Sequence, residues 1–133
     1  MYTYSQGAHT LSKDGVLITS GAYSGYQFGL NNPIAQDDPD IGPIPEGTYK
    51  WGKLLAVGPG HTGTNVLPIE PDEATRAAIL AIGRGPDSFF GHGDTASDVA
   101  LHLELASRGC IIMPLVFRLK IAESGDTDLT VVE

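Results

Sequence analysis

Tyr2-Thr3-Tyr4-Ser5-Gln6-Gly7-Ala8-His9-Thr10-Leu11-Ser12-Lys13-Asp14-Gly15-Val16-Leu17-Ile18-Thr19 opens the chain and reads as β structure throughout. Tyr2 and Tyr4 alternate with polar neighbours, the period-two pattern of a strand with one buried face. Gln6-Gly7 turns the chain, and a second short strand then reaches Leu11. Lys13-Asp14-Gly15 is a tight-turn signal, followed by Val16-Leu17-Ile18-Thr19 as a third strand.

The rest of the chain extends this pattern. Residues 21–45 are loop-like, with Asn31-Asn32-Pro33, Asp37-Asp38-Pro39-Asp40 and Gly42-Pro43-Ile44-Pro45. An irregular stretch of that length in a small domain commonly serves function. Gly47-Thr48-Tyr49-Lys50-Trp51 opens a strand that can run to Val57, and Asn65-Val66-Leu67-Pro68-Ile69 is another. Pro71, Asp72 and Glu73 suit the start of a helix over 74–82, with Ala78, Ile79 and Ile82 on one stripe and Gly83 as the stop. Pro114 opens a second helix through about Glu123, with Leu115, Leu119 and Ala122 sharing a face. Leu129-Thr130-Val131-Val132 is a closing strand, while Val99-Ala100-Leu101-His102-Leu103-Glu104-Leu105 fits strand or helix equally. The sum is one mainly-β domain over residues 1–133, with one or two flanking helices.

The 17 glycines and 9 prolines among 133 residues exceed the roughly 12% of average usage, which implies many tight turns and short strands. Sixteen acidic residues against eight basic ones leave a net charge of −8. Such a chain gains no counterion-release affinity for nucleic acid, and anionic membranes are equally poor partners. No apolar run approaches the roughly 20 residues that span a bilayer. Met1-Tyr2-Thr3-Tyr4-Ser5-Gln6-Gly7 has neither a basic region nor an apolar segment, so no secretory signal is expected.

Cys110 is the only cysteine, within Ser107-Arg108-Gly109-Cys110-Ile111-Ile112. A lone thiol forms no internal disulfide, which leaves packing or chemistry. A thiolate nucleophile needs a base or a cationic neighbour. His92, in Phe90-Gly91-His92-Gly93-Asp94, is the candidate base, and Asp94 or a backbone carbonyl can orient its ring. His102 is a rival base in a packing-like setting between leucines, and His9 and His61 read as surface residues. N–H groups around Gly109 and Cys110 can hold an oxyanion, and Ser107 can brace the turn. Arg84 and Arg108 are the cations available to a substrate carboxylate. His92, Asp94 and Cys110 are also conceivable zinc ligands, but a zinc site wants three or four such groups with a supporting shell, so no cofactor or metal is expected.

Ser107-Arg108-Gly109-Cys110-Ile111, with His92-Gly93 fourteen residues ahead of Ser107, resembles the signature of YkuD-type L,D-transpeptidases. Gly42-Pro43-Ile44-Pro45-Glu46-Gly47-Thr48-Tyr49 resembles a second stretch of that family. Adding Gly21-Ala22-Tyr23-Ser24-Gly25, Asn31-Asn32-Pro33, Gly83-Arg84 and Ser124-Gly125-Asp126, the chain is most similar to the small L,D-transpeptidase-like effectors of type VI secretion. The resemblance implies a β-sandwich-like catalytic domain acting on peptidoglycan tetrapeptide stems. There the thiol attacks the meso-diaminopimelate carbonyl and expels D-alanine, and the acyl-enzyme passes to water or to an amine. Carried over, Cys110 is the nucleophile, His92 the base, Gly109 lines the oxyanion site, Ser107 supports the turn, and Gly93 and Tyr23 border the substrate. Typical members carry His where Arg108 stands and Arg where Ile112 stands, which passes carboxylate recognition to Arg84 or Arg108. Delivery without an N-terminal signal into a target bacterium's periplasm, and a cognate immunity protein, follow from the same resemblance. Papain-like wall amidases place Cys before His, and no histidine follows Cys110. A non-catalytic wall-binding module with a vestigial thiol is the remaining alternative.

Overall fold

The computed structural model describes residues 1–60, 62–94 and 107–133. β1 (Tyr2–Ser5) buries Tyr2 and Tyr4 on one face, as their alternation demands. It pairs antiparallel with β2 (Thr10–Lys13), which pairs antiparallel with β3 (Val16–Thr19). Asp14 and Gly15 both adopt positive φ between β2 and β3, the geometry that makes Asp-Gly a hairpin signal. Val16 and Leu17 are exposed on the edge strand β3.

Six further strands complete the sheet. They are β4 (Gly47–Trp51), β5 (Leu55–Val57), β6 (Thr64–Pro71), β7 (Phe90–His92), β8 (Ile111–Ile112) and β9 (Asp128–Val132). Their order is β3-β2-β1-β9-β4-β6-β7-β8, with β5 beside β6, and the sheet is curled. β9 lies at the centre, parallel to β1 with Tyr2 opposite Leu129 and antiparallel to β4 with Tyr49 opposite Leu129. The two chain ends therefore share the middle of the sheet. One strand from Gly47 to Val57 is not what forms. β4 ends at Trp51, Gly52 N–H donates to the Pro68 carbonyl, and β5 begins again against β6.

α1 (Glu73–Ala81) starts later than Pro71, which remains in β6. Asp72 is its cap, accepting from Thr75 N–H at 2.8 Å, and that bond holds the Asp72 carboxyl below its ordinary range. Thr75 and Ile79 are its buried residues, so the stripe expected from Ala78, Ile79 and Ile82 is rotated. α2 (Leu115–Ser124) begins after Pro114 and is closed by left-handed Gly125. Its buried residues are Arg118 and Ile121, whereas Leu115 and Ala122 are exposed and Leu119 is only half-buried. The expected Leu115-Leu119-Ala122 face is thus not the packed one. Two helices on a mainly-β body match the expected class.

The core runs along the curled sheet through Tyr2, Tyr4, Leu11, Tyr49, Leu67 and Ile111. Edge-to-face ring pairs join Tyr2 to Trp51 and Tyr49 to Phe89. Burial of each such side chain contributes about 1.5–3 kcal/mol. Residues 21–45 carry only two short 3-10 turns, Gln27–Gly29 and Pro33–Ala35. They dock on the β8 edge, where Tyr23 and Ile112 exchange backbone hydrogen bonds of 2.9 and 2.7 Å. The undecided stretch at 99–105 lies outside the described residues. No helix among those described is long and apolar enough to cross a membrane.

Candidate functional site

β7 and β8 pair in parallel, with Gly91 opposite Ile111 and His92 opposite Ile112. Cys110 directly precedes β8, so the thiol and the imidazole stand on neighbouring strands, two places out of step. The eighteen positions between them are closed by the sheet. His92 is buried, and its Nδ1 lies 2.8 Å from the Gly93 carbonyl. A carbonyl only accepts, so Nδ1 carries the ring proton and Nε2 keeps its lone pair. Burial chiefly lowers the His92 pKa; the Gly93 carbonyl opposes this, and the Arg118 charge adds to it. The ring is a neutral base at neutral pH.

Cys110 is half-buried. Burial pushes its thiol up to about 11, against the Phe90 backbone N–H and the Arg84 charge, which pull it down. The sulfur sits 3.6 Å from the Ser88 carbonyl, to which the thiol donates. The direct thiol–imidazole hydrogen bond suggested by the sequence is not made. At rest this is a neutral thiol and a neutral imidazole, not an ion pair.

The nucleophile's turn is tightly braced. Ser107 is fully buried; its Oγ accepts from Gly25 N–H at 3.0 Å and Gly109 N–H at 3.2 Å and donates to the Cys110 carbonyl at 2.6 Å. These three bonds hold the turn to the Gly25 backbone. The Gly109 N–H is thereby engaged by the Ser107 hydroxyl. Gly109 has φ +122°, and a Cβ there would lie 2.6 Å from Arg84 Nη2 and 2.8 Å from Phe89. Glycine is required by both backbone and space.

Arg84 is tied into the fold. It is 6% exposed, and its guanidinium donates to the carbonyls of Gln36, Pro43, Gly42 and Arg108 at 2.7, 2.6, 3.1 and 3.4 Å. It sits over the Phe89 ring. Its charge ties residues 36–43 to the Cys110 turn. Arg108 is exposed, with its guanidinium over Tyr26, and remains open to a ligand. Asp94 does not hold the imidazole; its Oδ1 accepts from the Tyr23 hydroxyl at 2.9 Å. Tyr23 is buried against β8 rather than open to solvent.

Two side chains escaped the sequence reading. Ser24 is fully buried and donates to the Gly109 carbonyl at 3.3 Å while accepting from Ile44 N–H at 2.8 Å. It belongs to the Gly21–Gly25 run already singled out. Arg118 is buried on α2, and nothing in its local sequence marks it. His9 is exposed, with Nδ1 against the Ser20 carbonyl; His61 and His102 lie outside the described residues. No cluster of three or more metal-ligating side chains occurs among the described residues. A cleft of about 430 Å³ opens at Trp51 and Thr127, on the other side of β6 from the thiol's strand, and Cys110 and His92 do not line it.

No family model matches this chain, and no curated protein matches it.

Proposed function

We propose that this chain is a cysteine L,D-transpeptidase or L,D-carboxypeptidase acting on peptidoglycan stem peptides. The observation that carries the chemistry is the β7–β8 register, which sets a neutral, carbonyl-oriented His92 beside a braced and half-exposed Cys110. The choice of substrate rests on the resemblance of the glycine-rich motifs and of Ser107-Arg108-Gly109-Cys110-Ile111. On the same basis the protein is an antibacterial effector that works in a target cell's periplasm and is matched by an immunity protein in the producing cell.

The reaction starts when the thiol leaves Ser88 and its proton passes to His92 Nε2. The sulfur then attacks the diaminopimelate carbonyl, forming a C–S bond. Collapse breaks the amide C–N bond, and His92 returns the proton to the departing D-alanine amine. Water or an incoming amine attacks the thioester, giving a free carboxylate or a new amide and restoring the thiol.

Intact-mass detection of an acyl adduct on Cys110 after incubation with tetrapeptide tests this reading. Full turnover by Cys110→Ala would sink it. The thiol's contact with Ser88 instead of the imidazole favours a second reading, a wall-binding module with a vestigial thiol. That protein would bind sacculi and never form the adduct.

A further inference from the structure

Beyond His92, a cleft of about 370 Å³ is bordered by Tyr23, Gly93, Asp94, Met113, Leu115 and Arg118. Arg118 is only 7% exposed. Its Nη1 donates to the carbonyls of Thr64 and Asn65 at 2.9 and 2.8 Å. Its Nε is buried with no hydrogen-bond partner. Its Nη2 lies 2.8 Å from the point a Cβ on Gly93 would occupy, so glycine at 93 is what lets the guanidinium reach the cleft. No ion pair to Arg118 occurs among the described residues. A buried guanidinium is costly unless an anion and full hydrogen bonding offset it. Arg84, equally buried, directs both of its terminal nitrogens to carbonyls; Arg118 directs only Nη1 to carbonyls, and its Nη2 lies beside Gly93, which lines the cleft with it.

Asp94 also lines this cleft, with the Tyr23 hydroxyl on its Oδ1. Met113 and Leu115 add apolar surface to its lining. A wall with one cation, one anion and an apolar strip fits a short aliphatic chain ending in both a carboxylate and an ammonium. A ligand with two carboxylates alone meets Asp94 with the wrong sign.

We propose that this cleft binds a zwitterionic α-amino-acid end group, with its carboxylate on Arg118 and its ammonium toward Asp94. Identifying that group with the free end of a diaminopimelate side chain rests on the function proposed above. The cation for substrate recognition then comes from α2, and not from Arg84 or the position two beyond Cys110. Arg118 is a specificity residue on this account and not one of the reacting groups.

Titration of full-length Cys110→Ala protein with free meso-diaminopimelate, followed by backbone amide NMR, tests the cleft without any turnover. Shifts should concentrate at Gly21, Gly93 and Leu115. Pimelate, which lacks both amines, and 1,5-diaminopentane, which lacks both carboxylates, should each bind at least tenfold more weakly. Arg118→Lys should lose tenfold or more, and Asp94→Asn should lose the preference for diaminopimelate over pimelate. The ligand comparison on the unaltered cleft decides the matter even if the Arg118 variant fails to fold. Equal affinity for all three ligands, shifts mapping elsewhere, or no binding would overturn the proposal. Adduct formation on Cys110 is a separate readout, so a failed cleft with a working thiol, or the reverse, is distinguishable.

Discussion

The Cys110 turn and the cleft beyond His92 are each built around a buried arginine, and the two are used in opposite ways. Arg84 gives both terminal nitrogens to four backbone carbonyls of the long loop and the turn. Arg118 satisfies two carbonyls with one nitrogen and keeps Nε unpartnered. Burial of a cation alone does not mark a binding site. The direction of its remaining donors does. The turn side is a structural clamp, and the cleft side is poised for an incoming anion.

Removing the clamp should have the largest effect. Arg84→Ala strands several buried carbonyls, each costing about 1–3 kcal/mol when unmade. The loss should exceed roughly 3 kcal/mol, enough to unfold a marginal domain. Arg118→Lys keeps a donor for Thr64 and Asn65 and should cost about 1–2 kcal/mol. Denaturant midpoints of the two variants measure the contrast; equal losses would erase the distinction drawn between the two arginines.

Gly109→Ala follows. It meets a left-handed φ, about 1–3 kcal/mol for a residue with a Cβ, and a collision with Arg84 and Phe89. Thermal melts should show the loss, and acylation should fail with it. Gly93→Ala should be milder for the fold, because the atom it meets is the end of a long Arg118 side chain. Its signature is weaker ligand binding at a nearly unchanged melting temperature.

The pH predictions are smaller. His92 has its pKa lowered in the fold, so the unfolded chain takes up protons first as pH falls. The stability it contributes is complete above its unfolded value of about 6.5 and drains away below it. His92→Gln should flatten that acid slope between pH 7 and 5. Cys110 has the opposite sign. With its thiol near 11, the unfolded chain ionises first above about pH 9, and stability falls there. Iodoacetamide labelling of the native thiol should rise roughly tenfold per pH unit up to about 11. A plateau by pH 8 would mean a preformed thiolate.

Much of this molecule is legible one segment at a time. Tyr2 and Tyr4 announce a strand, Asp14-Gly15 announces a hairpin, and Asp72 and Gly125 bound helices, because each signal is local. What the chain does not display is pairing at long range. Leu129-Val132 reads as a strand, but its place is set by pairing with β1 at the far end of the chain and with β4, some eighty residues upstream. The face of α2 is misread for a related reason. Leu115, Leu119 and Ala122 form the apolar stripe, yet the helix buries Arg118 because β6 supplies carbonyls for it. Arg84 reads as a free cation until residues 36–43 fold over it. Cys110 and His92 were visible as residue types; their parallel strands were not.

The most direct test is intact-mass analysis of the wild-type protein and of His92→Ala after brief exposure to diaminopimelate-containing tetrapeptide. The wild type should gain the mass of the tetrapeptide less that of free D-alanine, the leaving group, with peptide mapping locating the acyl group on Cys110. His92→Ala should acylate at least a hundredfold more slowly, in line with general-base catalysis. Tetrapeptide cleaved at full rate with Cys110 unmodified, or acylation indifferent to His92, would contradict the pairing of this thiol with this imidazole.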